Sequence, residues 1–495
     1  MTGHADAVPA RARVRRENPV LRKEQVMTQR SFAVGRRRVG LGALLGALAL
    51  LAPAGAAAQE AGSDVTFARD VAPILQQKCE TCHRVGSVAP MSLVTYEETR
   101  PWARSIKARV QSREMPPWHL DKTVGIQHFI NDRSLTDPQI DTIVRWVDAG
   151  APLGDPAELP PPVDWPAGDR FELEDRLGPP DIVVRSQPWT MPADGQDAWF
   201  RPRAELNLTA PVWVRAAETR PSLEGRRIVH HASTYLHQPK GEELLEAERA
   251  LRAGQVGVDA VLAAAQKRTT DPEEVRELFT EWAQGKQGEI YPDNVGKLVR
   301  VGSHVEFDIH YHAVGEEITD QLEVGWWLYP QDAPPKYSAQ FVAMGAGAAR
   351  SLEIPPRSVV QHQGTYVLPA PAIMHNFQPH MHYRGKAFLM EALHPDGRRE
   401  VINYADRFDN TWHLNYIYDP DHAPVLPKGT VMQITTWHDN TRANRNNPDP
   451  RQWVSYGPRT VDEMAHANQQ VIFITEEDYE RITAERKARA ARTDN

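Results

Sequence analysis

Two histidines in the stretch QPHMHYRGK, His380 and His382, have a spacing suited to chemistry. Successive side chains on a β-strand alternate between faces, so a His-x-His pair presents both imidazoles on one side. This is the simplest way for a sheet to offer two nitrogen ligands to one ion. The alternative is a pair of ordinary histidines on an exposed strand. The pair therefore predicts a metal site, provided that a third ligand lies elsewhere in the chain.

The sequence CETCH places Cys79 and Cys82 three positions apart, followed directly by His83. This is the attachment signature of c-type haem, in which both thiols bond to the vinyl groups and the histidine is an axial ligand of iron. A thioredoxin-like redox pair is the alternative, but it would normally lie in a βαβ pattern. The residues before the motif read instead as a short amphipathic helix. One covalently attached haem c is therefore predicted.

The second axial ligand of the haem is sought among sulfur and nitrogen donors further along the chain. Met115, in REMPPWH, lies in an extended proline-containing loop from which a thioether can reach iron. Met91 and His119 are the alternatives. The segment from about 65 to 153 resembles the small cytochrome c domains of bacterial periplasmic proteins. In those domains the methionine of the MPPW stretch is the expected ligand, which favours Met115.

Two further histidine pairs precede the first one in the chain. They are His230 with His231 in RRIVHHAS, and His310 with His312 in FDIHYHAVG. Adjacent histidines on a regular strand point to opposite faces, so His230 and His231 can bind one metal only at a strand end or a bulge. Neutral imidazole suits copper, zinc and iron alike, so histidine alone does not identify the ion.

Met464 lies in the polar stretch VDEMAHANQ, with no hydrophobic run around it. A methionine in such a loop is a poor core residue and a candidate thioether ligand. Two imidazoles and one thioether form a ligand set that favours copper, because soft sulfur stabilises Cu(I). Met464 is therefore the candidate third ligand beside His380 and His382.

The order of these motifs resembles that of the ascorbate-dependent copper monooxygenases. These enzymes, among them peptidylglycine hydroxylating monooxygenase and dopamine β-monooxygenase, carry HH, then a histidine strand, then HMH, then a late methionine. The resemblance spans roughly 180–475. It implies that one copper, which stores an electron, is bound by His230, His231 and His310. It implies that a second copper, which activates O₂ for hydroxylation, is bound by His380, His382 and Met464.

The same resemblance implies two jelly-roll domains whose coppers face each other across a solvent cleft, with an external reductant. Three features depart from the animal enzymes. Their disulfides are absent, because both cysteines belong to the haem motif. His312 offers a second imidazole beside His310, so either one could be the ligand. Gln378 stands where the peptide enzyme has a substrate-binding arginine, so a C-terminal glycine peptide is an unexpected substrate.

Composition limits the elements that must position these residues. The chain has 495 residues, a net charge of −8 and 40 prolines. With no basic patch outside the extreme N-terminus, nucleic acid is not an expected partner. Short apolar runs such as PVWVRA and TVMQITTW, separated by Pro, Gly and Asn, predict antiparallel sheets. Residues 241–285 are the exception, because their apolar spacing follows a helical period.

The predicted fold class is multidomain: a small all-α cytochrome c domain, then two mainly antiparallel β jelly-roll (sandwich) domains with a helical insertion. The expected boundaries are a signal peptide with an N-terminal extension over 1–58, the cytochrome c domain over 60–153, a Pro-rich linker over 154–180, copper monooxygenase-like domains over 181–335 and 336–478, and a charged tail over 479–495.

The N-terminal segment predicts export. Arg36, Arg37 and Arg38 precede the uncharged stretch 39–51, and small residues at 56–58 offer a cleavage site. The apolar stretch is shorter than a spanning helix needs, so a cleaved signal is favoured over a retained anchor. The expected location is the periplasm or the exterior, with no stable membrane span.

These features lead to one main hypothesis and two alternatives. The main one is an exported haem- and copper-containing monooxygenase that hydroxylates a small organic substrate with O₂. Its cytochrome c domain would pass electrons to two copper ions from an ascorbate-like reductant or a periplasmic redox protein. The alternatives are a non-catalytic electron-transfer or copper-binding protein and a mononuclear iron or zinc cupin-like enzyme.

Overall fold

The computed structural model describes residues 65–165, 169–239, 274–283, 286, 288–345 and 352–493, together with scattered residues between 241 and 264. The predicted export signal over 1–58 lies outside the described residues. Among those that are described, no helix combines the length and the apolar character needed to cross a membrane.

Helices dominate the first part of the described chain. A helical turn over Phe67–Val71 continues into α1 (Ala72–Lys78), followed by α2 (Tyr96–Thr99), a 3₁₀ turn (Arg100–Trp102), α3 (Ala103–Gln111) and α4 (Asp137–Asp148). Thr95 and Thr136 begin α2 and α4 with capping boxes, in which each threonine side chain accepts from the third helical N–H. Phe67 contacts Tyr96 and Trp146 at ring-centroid distances of 5.4 and 5.8 Å, which ties these helices into one small core.

The connection that follows contains a 3₁₀ turn (Pro156–Glu158) and α5 (Glu174–Leu177). Its end is fixed to the first sheet by Glu218, whose carboxylate accepts the backbone N–H groups of Glu172 and Leu173, each at 2.9 Å.

Twelve strands form the N-terminal β half in the part of the chain that the structure describes. They are β1 (Ile182–Arg185), β2 (Trp189–Met191), β3 (Ala198–Phe200), β4 (Arg203–Glu205), β5 (Val212–Arg220), β6 (Val229–Pro239), β7 (Glu274–Ala283), β8 (Glu289–Ile290), β9 (Val295–Val299), β10 (His304–Tyr311), β11 (Ile318–Asp320) and β12 (Glu323–Leu328). The sheet β3-β10-β6-β7 and the sheet β1-β12-β5-β9 enclose one apolar core.

The sequence of β10 explains which of its side chains lie on each face of the sheet. In HVEFDIHY the apolar residues Val305, Phe307 and Ile309 alternate with polar ones, and all three are fully buried in that core. The polar residues between them, together with His304 and His310, therefore lie on the opposite face of the sheet.

The C-terminal β half contains the remaining strands. They are β13 (Tyr337–Gly345), β14 (Glu353–Ile354), β15 (Val359–Val367), β16 (Ala372–Met374), β17 (Asn376–Met381), β18 (Gly385–Leu393), β19 (Arg399–Ala405), β20 (Tyr416–Ile417), β21 (Val425–Leu426), β22 (Val431–Asp439), β23 (Val454–Ser455) and β24 (Ala465–Phe473), before α6 (Glu476–Thr493). The sheet β15-β22-β18-β19 packs against β24 and its neighbours around a second apolar core. A short parallel pairing of β9 with β13 joins the sheets of the two halves.

The prediction of mainly β-structure with few helices is confirmed, and almost every strand pair is antiparallel. The helical prediction for 241–285 is wrong in its last part, because Glu274–Ala283 is the strand β7, paired with β6. Seven described residues before β7 are helical: Glu243, Glu246, Ala247, Ala250, Ala260, Ala263 and Ala264.

A β-bulge explains the misleading helical pattern of β7. Thr280 pairs with Thr234 and Leu278 pairs with Tyr235, so Phe279 is an extra, unpaired residue. The bulge shifts the alternation of faces by one position. Apolar residues on either side of it consequently follow a spacing of three and four, which imitates the period of a helix.

The loop after α3 leaves the helices and packs into the C-terminal β half. Trp118, Leu120 and Phe129 belong to the second apolar core. Leu120 and Phe129 also form isolated β-bridges with Ala405 and Tyr418.

Candidate metal centres

The first candidate centre lies where β6 and β10 run side by side. His231 is the direct cross-strand partner of His310, whereas Tyr311 pairs with Val229, which leaves His230 as an extra residue. This is the bulge that two adjacent histidines require in order to share a metal. One nitrogen from each of His230, His231 and His310 lies within 4.8 Å of the others.

Contacts within this group orient its three imidazoles. The Nε2–H of His310 donates to Asp197 at 2.8 Å, and Trp199 stacks on the ring at a centroid distance of 4.4 Å. The Nδ1 atom of His310 is buried without a hydrogen-bond partner. The Nδ1 atoms of His230 and His231 are 3.0 Å apart. An unpartnered buried nitrogen beside two facing imidazoles fits a bound metal ion.

His312 lies further from this group than His310. Its ring centroid is 6.4 Å from that of His230, while the His310 ring is 5.0 Å from His230 and 5.1 Å from His231. Of the two alternatives that the sequence leaves open, the structure brings His310 to the pair.

The second candidate centre lies where β17 and β24 pair. His380 and His466 are direct cross-strand partners, and their rings stack at 4.8 Å. The His380 and His382 ring centroids are 5.2 Å apart. The same antiparallel register, continued by two residues, sets Met464 opposite His382. His380, His382 and His466 therefore lie together, and Met464, the residue before β24, lies at the same end of this strand pair.

Residues beside Met464 fix the orientation of His382. Its Nδ1–H donates to the carbonyl of Asp462 at 3.2 Å, so Nε2 is the nitrogen without a proton. The carboxylate of Glu463 is fully buried and accepts the backbone N–H of His382 at 2.9 Å and that of Arg384 at 2.6 Å. Such contacts set the tautomer and the ring direction of a metal-binding histidine.

His413 contacts both candidate centres. Its ring centroid is 5.4 Å from that of His231 and 5.4 Å from that of His380. Nearby, Gln378 is buried and donates to Glu281 of β7 at 2.5 Å, a second link between the two β halves. Neither His413 nor His466 is predicted by the sequence motifs. His466 lies two residues after Met464, a spacing that could have indicated it as a further ligand. His413, in NTWHLN, has no other histidine or methionine within that stretch.

Burial keeps four of these imidazoles neutral. It lowers the pKa of His382 and His466 to about 4 in each case. Burial, reinforced by neighbouring histidines, holds the pKa values of His231 and His380 well below the usual range. A metal ion binds the neutral form of imidazole, so the group is already in the binding state near neutral pH.

A large cavity lies between the helices and the C-terminal β half. Its volume is about 1010 Å³, and it is lined by the predicted haem residues Cys79, Cys82, His83 and Met115 and by the alternatives Met91 and His119. Burial raises the pKa of Cys79 to about 12 and also raises that of Cys82. The two thiols are unpaired. Buried, protonated thiols are poor redox nucleophiles, which argues against a thioredoxin-like pair.

The lining of the cavity fits a haem. The Nδ1–H of His83 donates to the carbonyl of Met91 at 3.3 Å, which leaves Nε2 free for iron. Met91 therefore lies beside His83, on the side of the proximal ligand. Five arginines also line the cavity and can balance the two carboxylates that haem carries: Arg109, Arg113, Arg133, Arg407 and Arg445.

The far wall of this cavity leads to the histidines. Trp412 lines the cavity, and the next residue, His413, contacts both candidate centres. This cavity and the two histidine groups are thus connected through two consecutive residues, Trp412 and His413.

Comparisons with known proteins leave the chain without a family. No protein-family model matches it, and no curated protein matches it. A two-domain protein of unknown function from Bacteroides fragilis is 9% identical over 56% of this chain and 84% of its own, with a TM-score of 0.14. The structure of infectious bursal disease virus, Gt strain, is 7% identical over 61% of this chain and 74% of its own, with a TM-score of 0.16. Likeness at these scores carries no inference about function.

Proposed function

We propose that this protein is an exported haem- and copper-containing monooxygenase of the ascorbate-dependent copper type. The observation that supports this most strongly is the convergence of two histidine groups on His413, next to the wall of the haem cavity. The first copper would be held by His230, His231 and His310, and the second by His380, His382 and Met464. Haem c would be held by Cys79, Cys82 and His83, with Met115 as the distal ligand.

Copper supplies one-electron storage and O₂ activation when bound, and haem supplies a one-electron relay. The residues of the chain prepare the sites for that chemistry. Asp197 accepts the Nε2–H of His310, so the proton of that ring stays on Nε2. The Asp462 carbonyl accepts the Nδ1–H of His382, so the proton of that ring stays on Nδ1. Burial keeps His231, His380 and His382 neutral. The contacts of His413 with His231 and His380 keep the two groups close.

The proposed reaction is hydroxylation of a small organic substrate with O₂. Electrons would come from an ascorbate-like reductant or a periplasmic redox protein. The buried Gln378, bonded to Glu281, supports a substrate without the carboxylate that an arginine would bind there. The helices and the two β halves correspond in this proposal to a cytochrome c domain and two jelly-roll domains.

Metal and haem content test the proposal. The copper-loaded protein should contain one haem, and His230→Ala and His380→Ala should each lose one copper relative to the wild type. His128→Ala is the matched control, since this exposed histidine lies outside both centres and should keep all the copper. One non-copper metal in place of the coppers would favour the cupin-like alternative.

Oxygen uptake then separates a catalyst from a carrier. The proposal expects O₂ consumption that needs both reductant and an organic substrate and that is lost in His380→Ala. Copper binding without any such consumption across a panel of substrates would support the non-catalytic electron-transfer alternative.

A further inference from the structure

A second cluster of metal-binding side chains lies on the same sheet as the first candidate centre, at the opposite end. His304 of β10 is the direct partner of His237 of β6. Glu274, the first residue of β7, pairs with Pro239, which lies two residues after His237 on β6. One ligand atom from each of His237, Glu274 and His304 lies within 4.8 Å of the others.

The register separates this cluster from the copper ligands. His237 and His231 are six residues apart on β6, and their partners His304 and His310 are six apart on β10. Even spacing puts both pairs on the same face of the sheet, the face opposite the apolar core. At about 3.3 Å per residue, six residues correspond to roughly 20 Å. One metal ion cannot bind at both places.

The geometry of the cluster is that of a nearly assembled site. Nδ1 of His237 is 3.4 Å from one carboxylate oxygen of Glu274, and Nδ1 of His304 is 3.9 Å from the other. Two ligands of a tetrahedral zinc ion lie about 3.3 Å apart, given metal–nitrogen bonds of about 2.0–2.1 Å. The rings of His237 and His304 stack at 4.5 Å, and each residue is only 6% exposed.

The surroundings of the two imidazoles fit a bound cation. The Nε2 atoms of both histidines are buried without a hydrogen-bond partner. Nε2 of His237 lies 3.5 Å from the carboxylate of Glu306, near enough for that carboxylate to accept its N–H once a metal holds Nδ1. Glu306 itself is paired with Arg276 and Arg203, so it acts as this acceptor rather than as a ligand.

We propose that His237, His304 and Glu274 bind a zinc ion that fastens the ends of β6 and β7 to β10. The chain leaves the sheet after Pro239 and returns at Glu274, so the ion would join the two points between which residues 240–273 are inserted. Two imidazoles and a carboxylate form a common zinc donor set. The site is distinct from the proposed copper centres and does not depend on them.

Zinc binding to the full-length protein tests this site. The chelator-treated protein is loaded with Zn²⁺, dialysed, and its zinc counted per chain. Glu274→Gln and His304→Ala should each lose one zinc relative to the wild type. Asp308→Asn, a carboxylate change on the same strand and face as His304, should lose none. His231→Ala should keep this zinc, so that the double variant His231→Ala/Glu274→Gln binds less than either single variant.

A second measurement distinguishes loss of the zinc site from misfolding of a variant. Zn²⁺ should slow amide hydrogen exchange at His237, Gln238 and 274–276 in the wild type and leave it unchanged in Glu274→Gln, which alters only a half-exposed side chain. Equal zinc content in the wild type, Glu274→Gln and His304→Ala would overturn the site. Copper content in Glu274→Gln reports separately on the proposed monooxygenase centres.

Discussion

Single hydrogen bonds decide which nitrogen each histidine offers. His83, His310 and His382 each donate one ring N–H to a carbonyl or a carboxylate, and the other nitrogen is left free. The sequence predicts these residues as ligands, but it does not predict the acceptors. Met91, Asp197 and Asp462 reach them through turns and strand pairing whose geometry exists only in the folded chain.

The second axial ligand of the haem is tested by replacing each of the two candidate methionines with alanine. Met115→Ala should abolish the absorption band of methionine-bound ferric haem, because Met91 lies on the side of His83. Met91→Ala should keep the band and is the matched control. Survival of the band in Met115→Ala together with its loss in Met91→Ala would reverse the assignment.

His413 is tested as the residue that joins the haem cavity to the copper centres. His413→Ala should keep one haem and the coppers, because His413 is outside both proposed ligand sets. It should slow electron transfer from reduced haem to copper, since the ring contacting His231 and His380 is removed. Flash reduction of the haem followed at its absorption band measures this rate. His422→Ala, a surface change, is the control, and equal rates in all three proteins would exclude His413 from the path.

At the level of elements, two bulges explain where sequence patterns succeed and fail. The adjacent histidines predict an irregular strand, and His230 is indeed the extra residue in β6. The bulge at Phe279 has no comparable signal, so the apolar spacing of β7 is misread as a helix. His413 also escapes prediction, because contacts between distant segments place it, and its own neighbours contain no motif.

The loop after α3 gives a stability prediction for the packing of the helices on the β half. Trp118 is 6% exposed and contacts Tyr416 edge-on at 4.7 Å. Trp118→Ala should lower the free energy of unfolding by about 3–5 kcal/mol, the usual cost of removing a buried aromatic ring. Trp453→Ala is the control, since Trp453 is 59% exposed and should cost less than about 0.5 kcal/mol. Similar denaturant midpoints for both variants would show that the loop is not anchored in this core.

Glu218 of β5 gives a pH-dependent prediction. Burial raises the pKa of Glu218 to about 7 in the folded protein. Between its unfolded pKa, about 4.3, and pH 7 the folded state holds a proton that the unfolded state has lost. The free energy of unfolding should therefore fall as pH rises through this range, by roughly 4 kcal/mol in total. Glu218→Gln should lack this component, so denaturation of both proteins between pH 4.5 and 8 should give a difference that changes with pH. A constant difference would contradict the raised pKa.

At the scale of the whole molecule, the proposed cofactor sites lie along one connected path. The haem cavity opens onto the C-terminal β half, Trp412 and His413 lead from it, and the two histidine groups meet at His413. Sequence motifs predict the ligands of each centre separately. How near the centres lie to one another follows from tertiary packing, including the contact of Gln378 with Glu281, and no local pattern encodes it.

Met464 is the residue that distinguishes a copper centre of this type from a generic histidine site. Its thioether favours Cu(I), and both cysteines line the haem cavity, so a methionine is the expected sulfur ligand of copper. Met464→His should still bind copper but should shift the centre towards Cu(II) and suppress oxygen activation. His380→Ala should lose this copper altogether.

Copper-edge X-ray absorption on the reduced, copper-loaded protein tests the proposed function most directly. The proposal predicts a copper–sulfur scattering path in the wild type that is absent in Met464→His, while the copper–imidazole paths remain in both. A wild-type spectrum with nitrogen and oxygen scatterers but no sulfur path would contradict the assignment of His380, His382 and Met464 as the oxygen-activating centre.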